Sequence, residues 1–326
     1  MEVEYDFTDD SVRSPVSTET PVPEPPFWGV REIPVDLDEV YPHLDTHVLF
    51  KLHWGGRGVK GEAWRRLVAD DLRPRLERMW AEQDYLRPRA LLGYFPCYAE
   101  GNEIVVLDPG DRSTVRERLV APRQPNGDRI CLADFFRPKE SGELDVVALQ
   151  AVTAGDEVTE LMAALERDGE FAEQLFTHGL GVQTAEGMAE WLHWRIRDDL
   201  GIPATQGRRY SWGYPAIPDQ SEHEKVYRLL EATDRIGLRL SGGYAVEPEQ
   251  STLALVAHHP EAIYFGTTSG RLLPEGHRGR ADDVIKGSAR DPSRFGELDD
   301  GDPELEGVED AEGVALAGAA QRSGAE

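Results

Sequence analysis

Leu144-Asp145-Val146-Val147-Ala148-Leu149-Gln150-Ala151-Val152-Thr153 is a nearly unbroken apolar run and reads as a long buried strand. Gly155-Asp156 then opens a helix whose apolar face is Val158, Leu161, Met162 and Leu165. Upstream, Ala90 to Phe95 and Glu103 to Leu107 are short apolar runs joined through Glu100-Gly101-Asn102, a connection of hairpin type. Before them, Trp64, Leu67, Val68, Leu72, Leu76, Met79 and Trp80 recur at steps of three and four, which predicts an amphipathic helix from about Gly61, bent at Pro74. Downstream, helices are expected over Phe171 to Leu200, broken near Gly179 to Gly181, and over Ser221 to Arg235. Short strands are expected at Leu238 to Leu240, Leu253 to Ala257 and Ala262 to Thr267. Strands and helices fall in clusters rather than in strict βαβ alternation. The expected fold is therefore α+β, an antiparallel or mixed sheet flanked by helices.

Around this core the composition shifts. Residues 1–26 are rich in Asp, Glu, Ser, Thr and Pro and offer little apolar surface to offset ordering, which predicts a disordered arm. A single folded domain is expected over 27–270, and an acidic, Ala- and Gly-rich disordered tail over 271–326.

The chain has 326 residues, with 35 Lys plus Arg against 61 Asp plus Glu, a formal charge of −26. Such a balance repels phosphate backbones and argues against nucleic acid or an anionic membrane as partner. No apolar run approaches the ~20 residues of a membrane span, and the acidic N-terminus lacks the pattern of a secretory signal. Cys97 and Cys131 lie far apart and outside metal or redox spacing, so a reducing cytoplasm is expected. No Gly-rich phosphate loop, dinucleotide fingerprint, nucleophile elbow or zinc-protease helix is present. No catalytic residue and no metal ligand is assigned.

Three stretches stand out as ligand-binding candidates. Arg208-Arg209-Tyr210-Ser211-Trp212-Gly213-Tyr214-Pro215-Ala216-Ile217-Pro218-Asp219 holds too many aromatics and prolines for a regular element and is expected to be a shaped loop. Its Arg fork suits a carboxylate, and Gly213 permits close backbone approach; an ordinary packed turn is the alternative. Tyr264-Phe265, after His258-His259-Pro260, reads as core aromatics or as a ligand wall. Asp36 reads as a helix cap or as an acid for a ligand ammonium.

Blocks of residues in order along the chain resemble one family. Leu49-Phe50-Lys51 with Trp54-Gly55, Arg87-Pro88-Arg89 through Gly93-Tyr94-Phe95-Pro96, and Cys131-Leu132-Ala133-Asp134-Phe135 come first. Ala151-Val152-Thr153-Ala154-Gly155, Trp191-Leu192-His193 with Arg195 and Arg197, Arg209 with Gly213-Tyr214-Pro215 and Pro218-Asp219, and His259-Pro260 with Tyr264-Phe265 follow. Together they resemble the activation domain of cobalamin-dependent methionine synthase.

The resemblance implies binding of S-adenosylmethionine, with Arg209 on its carboxylate, Asp36 on its ammonium, backbone from Ser211 to Gly213 along it, and Tyr214, Tyr264 and Phe265 near its cationic methyl. It implies a cobalamin carried by a partner chain, a corrinoid-binding methionine synthase, and an electron from a flavodoxin-like reductase. The methyl group then traps the reduced cobalt, so proximity and orientation replace acid, base or nucleophile. Since no corrinoid, folate or homocysteine region is recognised, that partner is expected to be separate. Five positions in three places depart from the family pattern: Trp194 stands where a glutamate is usual, Ile217 and Gln220 replace a cysteine and a histidine, and Ser241-Gly242 replace a threonine and glutamate. The alternative is thus a non-catalytic docking protein of the same fold with an altered or lost ligand site.

Overall fold

A computed structural model describes residues 13–124 and 128–265. The strands are β1 (Gly29–Ile33), β2 (Arg89–Glu100), β3 (Glu103–Leu107), β4 (Val115–Val120), β5 (Asp145–Thr153), β6 (Arg208–Tyr210), β7 (Arg239–Leu240), β8 (Val246–Glu247) and β9 (Ser251–Ala257). The helices are α1 (Leu37–Val40), α2 (Thr46–Val48), α3 (Gly61–Leu67), α4 (Arg73–Ala81), α5 (Asp156–Arg167), α6 (Phe171–Asp199), α7 (His223–Leu230) and α8 (Ala232–Ile236). Among the described residues, seven strands form one sheet in the order β4-β3-β2-β5-β9-β6, with β1 also on β2, and every pairing is antiparallel.

All of β5 is buried, which is why its sequence shows no alternation. Val146, Ala148 and Val152 face one layer, against Met188, Ala189, Leu192 and Ile196 of α6. Val147, Leu149 and Ala151 face the other, with Val226 and Leu230 of α7, Ile236 of α8, and Phe135. Gln150 sits among the apolar residues of the first layer, and its amide donates to the Ala189 carbonyl at 3.1 Å, so its burial leaves the donor satisfied. A further cluster joins Phe50, Trp54, Trp64, Leu76 and Trp80 to Val158 and Leu180.

The outer edge of β2 is shared by two strands: β1 covers Ala90 to Tyr94 and β3 covers Cys97 to Glu100. Phe95 and Pro96 fall in the gap, where the missing proline N–H deprives neither ladder. The Gly61 helix is α3 and α4 joined by a π-helical turn at Val68–Leu72, and Pro74 stands in the first turn of α4, where its missing donor is tolerated.

Several expectations are corrected. α6 runs unbroken through Gly179 and Gly181, because these glycines serve packing: a Cβ on Gly179 would lie 2.7 Å from His53 Cβ and 2.8 Å from the Trp54 indole nitrogen. The Ser221 to Arg235 helix breaks at Glu231, which takes a left-handed conformation (φ 53°) between α7 and α8. Ala262 to Phe265 form no strand, and the remainder of that expected strand lies outside the described residues. Arg208–Tyr210, expected in a loop, forms an edge strand.

The expected disordered arm is also corrected over residues 13–26. Arg13 and Ser14 bond to Asp134 and its neighbours, Val16 enters the core, and Thr20 reaches His259. These partners lie more than a hundred residues away in sequence, so local composition does not reveal them. Residues 1–12, and the expected tail over 271–326, lie outside the described residues.

Candidate functional site

Strand β6 pairs with β9 in the register Arg208↔Ala257, Arg209↔Val256 and Tyr210↔Leu255. Strand alternation sends Tyr210 into the α7 layer with Leu255 and Ala257, and sends Arg209 to the α6 layer with Val256. There the Arg209 side chain is 20% exposed and its guanidinium stands 3.6 Å from Glu186 of α6. A charge fork is thereby held at a sheet edge, oriented by a carboxylate and still reached by solvent.

Beyond β6 the chain turns sharply. Trp212 is buried with its ring 5.4 Å from that of His223, which anchors the loop. The Gly213 N–H donates to the Ile217 carbonyl at 2.8 Å and the Ile217 N–H to the Tyr214 carbonyl at 2.9 Å, closing a tight turn through Pro215. Gly213 is exposed with φ +85°, a left-handed conformation that suits glycine, while Ser211 and Tyr214 are half-buried. Asp219 then caps the next helical turn by accepting from the Ser221 N–H.

Facing this edge, Glu186, Glu190, His193 and Arg197 recur at helical spacing on one side of α6. Arg197 donates through Nε to the Gln206 carbonyl at 3.0 Å and lies 3.8 Å from Glu190. His193 is almost fully buried, 4.0 Å from Glu190. Burial first, and then the guanidinium groups of Arg197, Arg209 and Arg208, hold its pKa well below the usual imidazole range. In a chain of charge −26, three arginines gather here around two glutamates and a neutral histidine. Glu186 and Glu190 escaped the sequence reading; their i, i+4, i+7 spacing with His193 was the available signal.

The end of the domain packs on the same edge strand. The Tyr210 hydroxyl donates to the Ile263 carbonyl at 2.8 Å and so fixes the backbone ahead of Tyr264. Tyr264 is 45% exposed, its ring 5.9 Å from that of Tyr210 and 6.0 Å from the Arg208 guanidinium carbon. Phe265 is buried instead, its ring 6.4 Å from Phe135 and 6.0 Å from Tyr210, so it supports the segment from beneath.

Arg209 thus stands on the α6 face of β6, Ser211, Gly213 and Tyr214 lie in the turn that follows, and Tyr264 and Phe265 contact Tyr210, which alternation places on the other face of the strand. Asp36 belongs to a neighbouring element. It caps α1 by accepting from the Asp38 N–H at 2.9 Å, and α1 docks on α6 through the Trp191 indole donating to Glu39 at 3.2 Å. Among the described residues no helix is long and apolar enough to cross a membrane.

Comparison with known proteins gives the family and the fold. Residues 56–270 match the family described as vitamin B12 dependent methionine synthase, activation domain. The chain is 38% identical over 286 residues to methionine synthase of Mycobacterium tuberculosis (strain ATCC 25618 / H37Rv), and 37% to that of Mycobacterium leprae (strain TN). Each alignment takes in 78% of this chain and 24% of the relative, so the chain spans about a quarter of the length of the relatives it matches. A crystal structure of the MetH reactivation domain bound to AdoHcy superposes with a TM-score of 0.66 at 24% identity, covering 85% of this chain and 90% of that chain, and shows the same fold. The chain belongs to the family of vitamin B12 dependent methionine synthase activation domains.

Proposed function

We propose that the chain binds S-adenosylmethionine along the β6 edge and supports reductive remethylation of cob(II)alamin on a separate corrinoid methyltransferase such as methionine synthase, with a flavodoxin-like or other reductase supplying the electron. The observation that carries the reading is the position of Arg209, solvent-reachable and beside Glu186, on the edge strand that leads into the Gly213-Tyr214 turn and that has the half-exposed Tyr264 ring beside its Arg208 and Tyr210. The AdoHcy found in the MetH reactivation domain, a protein of the same fold, is the demethylated form of this ligand.

In this reading each ligand group meets a complementary one. Arg209 takes the carboxylate as a bidentate pair. Asp36, Glu186 and Glu190 supply acids for the ammonium. Backbone from Ser211 to Gly213 lies along the ligand, with Gly213 permitting close approach. Tyr214 and Tyr264 offer ring faces to the sulfonium, with Phe265 backing them. The open edge leaves the methyl facing outward. The partner's corrinoid supplies the nucleophilic metal, and this chain supplies proximity and orientation. The neutral His193, with its environment of arginines, adds no competing cation beneath the site.

The competing reading is a docking protein whose ligand site is altered at Trp194 and Ser241-Gly242. Two features favour retention. Arg197 packs over the Trp194 ring at 5.3 Å, while Glu186 and Glu190 keep carboxylates on the helix face toward Arg209 and Arg197. Ser241 and Gly242 lie at the tip of the β7–β8 ribbon, where the Ser241 hydroxyl accepts from the Ala245 N–H at 3.0 Å and closes a local turn.

Titration calorimetry with S-adenosylmethionine is expected to show binding that Arg209→Ala lowers by ~10-fold or more, the loss of a charge-assisted pair. Conversion of cob(II)alamin to methylcobalamin on the partner, followed by absorbance, is expected to require this chain. A protein that docks on the partner but binds no S-adenosylmethionine establishes the competing reading.

A further inference from the structure

The segment Arg13 to Thr20 lies outside the residues matched by the family, yet it is tied to the stretch that carries Tyr264 and Phe265. Its first attachment is to the turn Leu132–Phe135. The Arg13 guanidinium donates to the carbonyls of Asp134 and Phe136, filling acceptors that the end of a helical turn leaves open. Ser14 donates through its hydroxyl to the Asp134 carboxylate at 2.6 Å. That carboxylate also receives Arg123, at 2.7 and 3.1 Å, and the Cys131 N–H at 3.0 Å; the side chains of Arg123 and Asp134 are each 1% exposed.

The second attachment is to the segment after β9. The Ser17 N–H donates to Glu261 at 3.2 Å, and the His259 ring nitrogen Nε2 lies 3.1 Å from the Ser17 carbonyl and 2.8 Å from the Thr20 hydroxyl. Because His259 Nδ1 accepts from the Glu261 N–H at 3.1 Å, the neutral ring carries its proton on Nε2 and donates it toward the strap. Phe135 then joins the two attachments, its ring 5.9 Å from His259 and 6.4 Å from Phe265.

Most of the strap's holds are polar, and Val16 is its one residue in the main core cluster. A segment fixed mainly by hydrogen bonds, with little apolar burial, opens locally at lower cost than the sheet it rests on. His258 is anchored separately, its Nε2 2.7 Å from Asp145 and its carbonyl accepting from the Gln206 amide at 2.8 Å; beyond it the strap, the Tyr210 hydroxyl, Ala262 in the core cluster and the ring contacts of Tyr264 and Phe265 hold residues 259–265.

We propose that Arg13 to Thr20 is a positioning clasp: docked, it fixes His259 to Phe265 and so sets Tyr264 beside Arg208 and Tyr210; released, it frees that wall of the ligand site. The clasp rests on the ligand reading given above, and a binding ligand that needs the Tyr264 wall favours the docked state by its difference in affinity between the two states.

The test uses the full chain, with AdoHcy as probe. Arg13→Ala/Ser14→Ala is compared with the unaltered protein by calorimetry, by thermal unfolding and by hydrogen exchange read per peptide. The clasp predicts ~10-fold weaker AdoHcy binding, faster exchange confined to residues 259–265, and an added peptide spanning residues 10–24 restoring both. Glu261→Ala, an exposed position, is the milder variant should the double substitution unfold the domain, and is expected to accelerate exchange in the same stretch. Unchanged exchange over 259–265 in the folded variants overturns the clasp, as does faster exchange there with unchanged AdoHcy affinity. Absence of AdoHcy binding by the unaltered protein overturns the ligand reading instead, and the exchange data still decide whether the strap holds the segment.

Discussion

Gly213 shows how a single residue controls the loop on which the candidate site depends. Its φ of +85° lies where an L side chain is strained, and a Cβ there would stand 2.9 Å from the Gln220 amide nitrogen. Gly213→Ala is expected to cost about 1–3 kcal/mol in denaturant unfolding and to weaken S-adenosylmethionine binding further, because the backbone from Ser211 to Gly213 shifts. Glycine was legible there as a need for close approach. What enforces it, the left-handed backbone at φ +85°, is set by the turn that the Gly213 and Ile217 hydrogen bonds close and was not legible. Arg209 makes the same point from the other side: the sequence displays a fork for a carboxylate, whereas the structure shows Glu186 aiming it.

Helix α6 joins two of the core clusters and carries one side of the candidate site. It passes from the cluster at Leu180, where it meets Trp54 and Val158, to the cluster at Leu192 and Ile196 beneath the sheet, and its polar side holds Glu186, Glu190, His193 and Arg197. The expected break at Gly179 to Gly181 rested on the helix cost of glycine, about 1 kcal/mol each. Tertiary packing outweighs it, since Gly181 lets Val158 and Gln250 approach and Gly179 lets His53 and Trp54 do so. Gly179→Val is therefore expected to destabilise the fold by about 1–3 kcal/mol through overpacking, despite valine's better helix propensity. A stabilised variant in chemical denaturation contradicts this account.

For the molecule as a whole, buried histidines set the response to acid. His43, His53, His193, His223 and His259 all have pKa values lowered from 6.5, in each case chiefly by burial. The unfolded chain takes up these protons first as pH falls, so their contribution to stability is complete above about pH 6.5 and is lost progressively below it. The melting temperature is expected to hold level near neutrality and fall between pH 6.5 and 5. His193→Gln is expected to flatten that fall, since His193 is the most deeply buried of the five.

The sequence by itself determined the α+β class, the buried central strand, the β2–β3 hairpin and the family resemblance, because apolar periodicity and turn residues act over short distances. The tertiary structure decided the rest. It turned Arg208–Tyr210 from loop into edge strand, since a three-residue strand exists only through its ladder to β9. It ordered Arg13 to Pro26 through partners at Asp134 and His259, and it brought Glu186 of α6 to Arg209 of β6. Each of those contacts joins residues far apart in the chain, and a hydrogen bond or ion pair between distant side chains leaves no local period to be read.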